Sequence, residues 1–195
     1  MSDLYNEPDD ATPLSPEERN GLIPAHVALR RELNELEQQN IIQANLWAFQ
    51  RKRALFSETF ARSLHRRMFD QVWRWAGDYR TTDKNIGVPH WAIQTRLKQA
   101  LDNASYWVEH HSYPSDEIAV RFHHALVFIH PFPNGNGRWS RLMADLLVVS
   151  LGGGRFSWGG GGALRSADEI RRAYVAALRA ADNHDFTPLI GFARS

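Results

Sequence analysis

The segment from Ser115 to Ile129 constrains the fold most, because it has the strongest helical pattern in the chain. Its apolar residues recur at offsets of four, seven and eleven, the spacing of one helix face: Ile118, Phe122, Ala125 and Ile129. Ser115 is a typical N-cap residue, and two acidic residues follow it in the first turn. The pattern predicts an amphipathic helix that begins after Ser115 and leads directly into His130.

Helical spacing recurs along much of the remaining chain. Further helices are predicted over Glu32–Phe49, Ser57–Trp75 and Arg96–His110, through Leu142, Leu146 and Val149, and after a capping box at Ser166 to Glu169. One face of the first of these helices is expected to hold Leu33, Leu36, Ile42, Leu46 and Phe49. Residues 79–91 mix β-branched, aromatic and turn-forming residues, which is typical of a short hairpin or flap. The sequence therefore predicts a mainly α, single-domain protein with a small β-hairpin flap.

The first 24 residues differ from the rest of the chain, since they hold four of its nine prolines. They predict an extended N-terminal arm over residues 1–24, with one helical turn at Pro16 to Arg19, followed by a helical domain over residues 25–195. The glycine-rich run at 152–162 lacks the GK[ST] sequence and the preceding strand of a phosphate-binding loop. This run is expected to be a flexible connector.

Composition excludes several classes of function. With 195 residues, 43% hydrophobic and 23% charged, the chain has the make-up of one ordinary globular domain. A net charge of +1 provides no broad basic surface, so direct binding to nucleic acid is not expected. The absence of cysteine excludes disulfides, thiolate catalysis and cysteine-based zinc sites. With no signal peptide and no apolar stretch long enough to span a bilayer, the expected location is the cytoplasm.

The segment HPFPNGNGRWSR, residues 130–141, carries the chemistry. Gly135 and Gly137 leave the backbone free to approach a ligand, and a loop of this kind at a helix N-terminus binds anions. Arg138 and Arg141 are three residues apart and therefore share one helix face. His130 titrates near neutral pH and can take a proton from a hydroxyl. A base beside an anion site indicates phosphoryl or nucleotidyl transfer.

This segment resembles the signature of Fic-domain proteins, HPFx[DE]GNGRxxR, and departs from it only at Asn134. The similarity extends to FHHALVFIHPF, to residues 79–91 and to YVAALRAADNHDFTPLIGF near the C-terminus, and covers roughly residues 30 to 192. Within the family the chain most resembles a subgroup associated with mobile elements, called mobile mystery protein B. The resemblance implies a helical Fic fold and transfer of AMP from ATP to a Ser, Thr or Tyr hydroxyl of a target protein.

The resemblance also implies a role for each residue of the motif. His130 would be the catalytic base, and Phe132 would pin the loop into the core. Gly135, Asn136 and Gly137 would form the anion hole over the α- and β-phosphates, with the Asn136 side-chain amide as an added donor. Arg138 and Arg141 would hold the phosphates. The flap would hold the target by strand addition through residues Thr82, Asp83, Lys84, Asn85, Ile86, Gly87 and Val88.

The departure at Asn134 bears on the metal and leaves alternatives open. Family members place a carboxylate there to hold Mg²⁺, whereas Asn keeps an oxygen but loses the charge, so a weaker Mg²⁺ site is expected. Slower adenylyl transfer, another phosphate-group transfer or AMP removal, and nucleotide binding without catalysis all remain compatible with the sequence. A co-encoded regulatory or antitoxin-like protein is a further expected partner.

Overall fold

The computed structural model describes residues 13–161 and 166–195. Eight α-helices form this part of the chain: α1 (Pro16–Arg19), α2 (Arg30–Phe49), α3 (Glu58–Phe69), α4 (Ile93–Glu109), α5 (Ser115–Ile129), α6 (Asn136–Ser150), α7 (Ala167–Asp182) and α8 (Thr187–Arg194). A short 3₁₀ helix at His90–Ala92 precedes α4. The helical fold predicted from the sequence is confirmed. Within the described ranges, no helix has the length and hydropathy needed to cross a membrane.

Helices α5 and α6 form the centre of the domain, and the segment 130–135 connects them. Helix α5 packs against α4, α6 and α8, while α2 and α3 pack together on the other side of α6. Phe122, Leu126, Trp139 and Met143 are fully buried at the centre. The connecting segment is therefore held at both ends by buried helices, which fixes its position.

Helix caps were predicted with mixed success. The Ser166 capping box is present, with the hydroxyl accepting from the Glu169 N–H. The predicted N-cap at Ser115 is wrong, because the helix begins at Ser115 itself and Pro114 precedes it as the cap. Proline there has the extended backbone that a cap position requires, with φ −56° and ψ 151°.

The buried face of α2 differs in part from the predicted one, since Leu33 is buried and Leu36 and Phe49 pack against the core as predicted. Ile42 and Leu46 are 48% and 58% exposed, whereas the buried residues are Leu33, Glu37, Asn40, Ala44 and Ala48. These five residues also follow helical spacing, and two of them carry polar side chains that bind partners on other elements. Trp73 Nε1 donates to Glu37 at 2.7 Å, and Asn40 Nδ2 donates to the Arg67 carbonyl at 2.8 Å. Buried polar partners therefore override the apolar pattern.

The predicted β-hairpin over residues 79–91 is wrong. Instead of a ladder between two strands, the guanidinium of Arg80 binds the backbone carbonyls: Nη1 donates to Thr82 O at 2.9 Å, and Nη2 donates to Val88 O. Arg80 is only 2% exposed, so these carbonyls are satisfied inside the protein without strand pairing. Residues 79–89 therefore form an irregular loop that leads into the 3₁₀ helix, and we continue to call residues 79–91 the flap.

Residues 13–24 pack against the helical domain. The helical turn at Pro16–Arg19 is present as predicted, and Leu14 is 4% exposed. Leu22 forms an isolated bridge with Trp73, which lies beyond α3 because that helix ends at Phe69 and not at Trp75 as predicted. Residues 1–12 of the predicted arm lie outside the described residues, and the domain division at residue 24 stays a prediction.

The glycine-rich run after α6 is anchored in its described portion. Ser157 and Trp158 both donate their N–H groups to the Ala193 carbonyl, and Trp158 Nε1 donates to Asp145 at 3.0 Å. Phe156 is 7% exposed. The expectation of a flexible connector is therefore wrong for residues 152–161, and residues 162–165 lie outside the described ranges.

Candidate active site

His130 ends α5 in a left-handed conformation, with φ 53° and ψ 61°. Such a φ is uncommon for a residue with a side chain and needs support from its surroundings. Arg80 supplies that support, because its Nε donates to the His130 carbonyl at 2.7 Å while its other nitrogens hold the flap. The buried arginine thus joins the flap to the backbone of His130.

The His130 imidazole is neutral at physiological pH. Its pKa is lowered to about 4, mainly by burial and also by the positive charges of Arg80 and Lys84, against a hydrogen bond with the Val127 backbone that raises it. The side chain is 7% exposed. A neutral imidazole retains a nitrogen lone pair, so it can accept a proton from a substrate.

Gly135 is required by the loop geometry. Its φ is +77°, and a Cβ at this position would lie 2.4 Å from Cζ of Phe69. Gly137 differs, because a Cβ there would meet no protein atom within 4 Å. The protein itself therefore needs glycine at 135, whereas position 137 borders open space.

The side chain of Asn136 braces the loop from inside. Its Oδ1 accepts from the Phe132 N–H at 2.9 Å and its Nδ2 donates to the Phe132 carbonyl at 2.8 Å. The residue is 1% exposed, and both polar atoms of the amide have a backbone partner within the loop. Asn136 is nevertheless among the residues that line the cavity described below, so its role toward a ligand stays a prediction. The backbone N–H groups at the start of α6 have no carbonyl partner within the helix.

His65 holds the same loop from α3, and sequence analysis missed it. Its Nδ1 accepts from the Gly77 N–H at 3.0 Å, so Nε2 carries the proton and donates to the Asn134 carbonyl, also at 3.0 Å. The imidazole stacks on Phe132, with ring centroids 3.7 Å apart. Phe132 is fully buried, as expected of a pin. Burial lowers the pKa of His65 to about 3 and keeps this tautomer neutral.

Both motif arginines lie on the exposed side of the loop. Arg138 Nη1 binds the Glu37 carboxylate at 2.6 Å, and its Nη2 lies 3.4 Å from Asn134 Oδ1. Arg141 Nε donates to the Gly137 carbonyl at 3.1 Å, and its guanidinium lies over the Tyr174 ring. Glu37 is 4% exposed and was not identified from the sequence. The two arginines therefore present their remaining N–H donors next to the start of α6.

Tyr174 joins the site to a buried histidine. Its hydroxyl lies 2.9 Å from Nε2 of His123, and burial raises the pKa of the phenol to about 12. Burial also lowers the pKa of His123 to about 3. Both groups are therefore neutral near Arg141, and the guanidinium keeps its charge available for an anion.

One cavity of about 590 Å³ brings the predicted residues of the loop together. The loop residues that line it are His130, Asn134, Gly135, Asn136, Gly137, Arg138 and Arg141. Residues of α7 and α8 also line it, some apolar (Ile170, Val175, Leu178 and Phe192) and some charged (Asp168 and Arg171). A lining that combines cationic donors with apolar side chains suits a nucleotide, whose phosphates and base have these two characters.

The flap residues are placed unevenly around this cavity. Ile86 lines it, and Gly87 lies so close to His130 that a Cβ would be 2.7 Å from the histidine Cβ. Asp83 accepts from the His90 N–H at 2.8 Å, and Lys84 binds Glu18 of α1. The structure thus puts Ile86 and Gly87 at the candidate site, while Asp83 and Lys84 hold the flap in place.

The donor set does not fit a protein-bound magnesium ion. Asn134 Oδ1 already accepts from the Gly135 N–H at 2.5 Å and lies next to the Arg138 guanidinium. The described residues contain no group of three metal-ligating side chains. Mg²⁺ prefers anionic oxygens, and one neutral, hydrogen-bonded amide beside a cation is a poor ligand.

The fold and the sequence are both similar to known Fic proteins. The model of the Fic/DOC family matches residues 55–148 of the chain. The protein adenylyltransferase fic-1 of Caenorhabditis briggsae is 30% identical over 120 residues, which is 60% of this chain. The match spans 22% of that relative's length.

Solved structures share the fold at lower identity. BepC, a VirB-translocated effector of Bartonella tribocorum with bound AMPPNP, has a TM-score of 0.67 at 16% identity, covering 92% of this chain and 97% of BepC. A segment of Fic-1 from C. elegans has a TM-score of 0.65 at 23% identity, covering 91% of this chain and 52% of that one. These similarities establish the Fic fold.

Proposed function

We propose that this protein is an ATP-dependent protein adenylyltransferase. The observation that carries the proposal is that a buried, neutral histidine, the N-terminus of a helix and two arginines meet in one cavity. The match to a protein adenylyltransferase and the AMPPNP bound by BepC support it.

In the proposed reaction, the hydroxyl oxygen of a target side chain attacks the α-phosphorus of ATP. An oxygen–phosphorus bond forms, the bond from the α-phosphorus to the bridging oxygen breaks, and pyrophosphate leaves. His130 accepts the hydroxyl proton. Its low pKa keeps it in the basic form before ATP binds, and the negative phosphates then raise its affinity for the proton.

The phosphates would bind at the start of α6. Its first backbone N–H groups and the positive end of the helix dipole attract negative charge. Arg138 and Arg141 add cationic donors on the same side, with Arg141 nearer the γ-phosphate. Magnesium would enter with ATP, held by phosphate oxygens, and no step of this mechanism passes through a protein ligand to the metal.

The target protein would lie along the flap, beside Ile86 and Gly87. A hydroxyl brought there is next to His130, because Gly87 contacts that histidine. The resemblance to mobile mystery protein B, the antitoxin-like partner and the cytoplasmic location stay predictions.

A second candidate function is nucleotide binding without catalysis. The ion pair between Glu37 and Arg138, at 2.6 Å, favours it, because a phosphate must share that guanidinium with a buried carboxylate. A protein of this kind binds ATP and releases it unchanged.

Labelling with ATP that carries the tag on either the α- or the γ-phosphate separates these functions. The purified protein is incubated with each form of ATP, Mg²⁺ and a bacterial lysate. Adenylyl transfer gives protein label from α-tagged ATP alone, whereas phosphoryl transfer gives it from γ-tagged ATP alone. Binding of ATP with no label from either form would contradict the proposal and favour the second candidate.

Substitutions at Gly135 and Gly137 are predicted to have contrasting effects. Gly135→Ala is expected to destabilise the protein by about 2 kcal/mol or more, because the new Cβ meets Phe69 and the φ is positive. Gly137→Ala should leave the stability unchanged or slightly higher, since alanine favours the helix, yet weaken ATP binding about tenfold by filling the open space. Urea unfolding and ATP titration test both variants, and equal ATP affinity of Gly137→Ala and wild type would contradict a phosphate site here.

The residue at 134 gives a prediction about the metal. Asn134→Asp should lower the Mg²⁺ concentration needed for half-maximal transfer about tenfold, because an anionic oxygen replaces the amide. Asn45→Asp is the charge-matched control, because Asn45 is half-buried on α2, accepts from Arg155 at 3.2 Å and does not line the nucleotide cavity. It should leave the Mg²⁺ dependence unchanged. An identical Mg²⁺ dependence in Asn134→Asp and wild type would show that position 134 does not face the metal.

A further inference from the structure

A groove runs between α4 and α5 on the side of the flap that faces away from the nucleotide cavity. It consists of two adjoining cavities of about 400 and 620 Å³, which share Arg96, Gln99 and Phe128 in their walls. Its floor is formed by small side chains, Ala92, Ala100 and Ala125. These alanines leave depth between the two helices for side chains of another molecule.

The rim of the groove exposes large apolar side chains. Trp91 is 76% exposed and Phe128 is 60% exposed. Ile86 of the flap, 43% exposed, lies a few residues before Trp91 in the chain. Exposed aromatic residues beside a concave apolar surface mark a site where a partner removes them from water.

The charges in the groove are predominantly positive. Arg96 lies where the two cavities meet, and none of the ion pairs among the described residues includes it. Arg121 binds Glu117, and the one acidic residue in the wall, Asp182, binds His124 at 2.8 Å. Arg96 is therefore the charge that a partner carboxylate would meet.

The groove continues directly from the flap. Gly87, Val88 and Pro89 form one of its walls, and the Val88 N–H donates to the Ile129 carbonyl next to His130. A polypeptide with its hydroxyl residue at His130 would thus reach the groove within a few residues, at about 3.3 Å per extended residue.

We propose that this groove holds a segment of the target protein in which a large apolar side chain stands next to carboxylates, close in sequence to the modified hydroxyl. The apolar side chain packs between Trp91 and Phe128 over the alanine floor, and a carboxylate pairs with Arg96. This inference rests on the proposed function, since it assigns the partner to the same reaction. It places target selection outside the nucleotide cavity.

Synthetic peptides test the proposal directly. Fluorescein-labelled dodecapeptides carry one threonine and a Phe-Glu-Asp block two to four residues to either side, and matched peptides carry Phe-Lys-Lys. Fluorescence anisotropy with the full chain should show at least one acidic peptide binding about tenfold tighter than its lysine counterpart. Phe128→Ser should weaken that binding about tenfold, and Arg96→Glu should reverse the charge preference.

Two control variants match these changes outside the groove. Tyr106→Ser removes an aromatic side chain that is 56% exposed, and Lys98→Glu reverses a charge on the same helix as Arg96. Both should bind the acidic peptide like wild type. Equal binding by Phe128→Ser, Arg96→Glu and wild type would overturn the proposal.

Further measurements separate this inference from the proposed function. Peptide binding should persist in His130→Ala. In the wild-type protein, binding to the groove without label transfer would contradict adenylylation and still support the docking site. Label transfer to a target at the same rate in Phe128→Ser and Arg96→Glu would overturn the docking site alone. Light scattering tests whether a second copy of the chain occupies the groove. If the wild-type protein is a dimer and Phe128→Ser dissociates it, the proposal is also overturned.

Discussion

His130→Ala is expected to lower the rate of adenylyl transfer by about a thousandfold, because it removes the group that accepts the hydroxyl proton. The variant should still bind ATP, since the phosphates are assigned to the start of α6 and to Arg138 and Arg141. The measurement is the rate of protein labelling from α-tagged ATP at saturating ATP, together with an ATP titration of each protein.

The control is His110→Ala, an exposed histidine that stacks on Tyr106 away from the cavity. It should label the target at the wild-type rate. Because His130 has a left-handed backbone, the stability of His130→Ala is measured by urea unfolding to show that a loss of rate comes from a folded protein. Undiminished labelling by folded His130→Ala would exclude the histidine as the base.

Acid is expected to destabilise the protein by several kcal/mol between pH 6.5 and pH 5. Burial lowers the pKa of His65 and His123 to about 3 and that of His130 to about 4. Below the ordinary histidine pKa the unfolded chain takes up these protons and the folded protein does not. Stability is therefore fully present above pH 6.5 and falls as the pH decreases, by about 1 kcal/mol per pH unit for each histidine.

Urea unfolding at several pH values measures this effect. His123→Gln removes one of the three groups and keeps a donor for Tyr174, so the slope of stability against pH should decrease by about a third. His184→Gln, at an exposed position of the α7–α8 turn, should leave the slope unchanged. A slope in His123→Gln equal to that of wild type would mean that His123 is protonated in the folded protein.

The sequence predicted those parts of the fold that depend on local pattern. The spacing of Ile118, Phe122 and Ile129 places α5 correctly, because burial of one face is the main source of its stability. The loop after it was also located, since its glycines and arginines are adjacent in the chain. Local sequence therefore identified the helix, the loop and the histidine between them.

Long-range partners decide what the sequence did not predict. Arg80, Glu37 and His65 bind groups that are 50, 101 and 69 residues away in the chain. One signal was present for Glu37 and Asn40, because they continue the helical spacing of Leu33 and Ala44. Polar residues in an apolar stripe indicate buried partners, although the stripe does not reveal which partners they bind.

The flap was assigned to the wrong local structure for the same reason. The alternation of residues in 79–91 suits a hairpin, but a buried arginine takes the carbonyls that a second strand would have used. No pattern within the flap shows that Arg80 is buried, since that depends on its contact with the end of α5.

The contacts of Arg80 also determine how this protein can be redesigned. Thr82 and Val88 are fixed because the arginine binds their carbonyls, and Gly87 is fixed because a side chain there would meet His130 and Arg80. Between these fixed points, Asp83 and Lys84 also hold the flap, through the His90 N–H and Glu18, which leaves Asn85 and Ile86. An exchange of flap sequences from other proteins therefore has a defined cassette of two positions, and a graft that replaces Arg80 would alter the backbone of His130 along with the recognition surface.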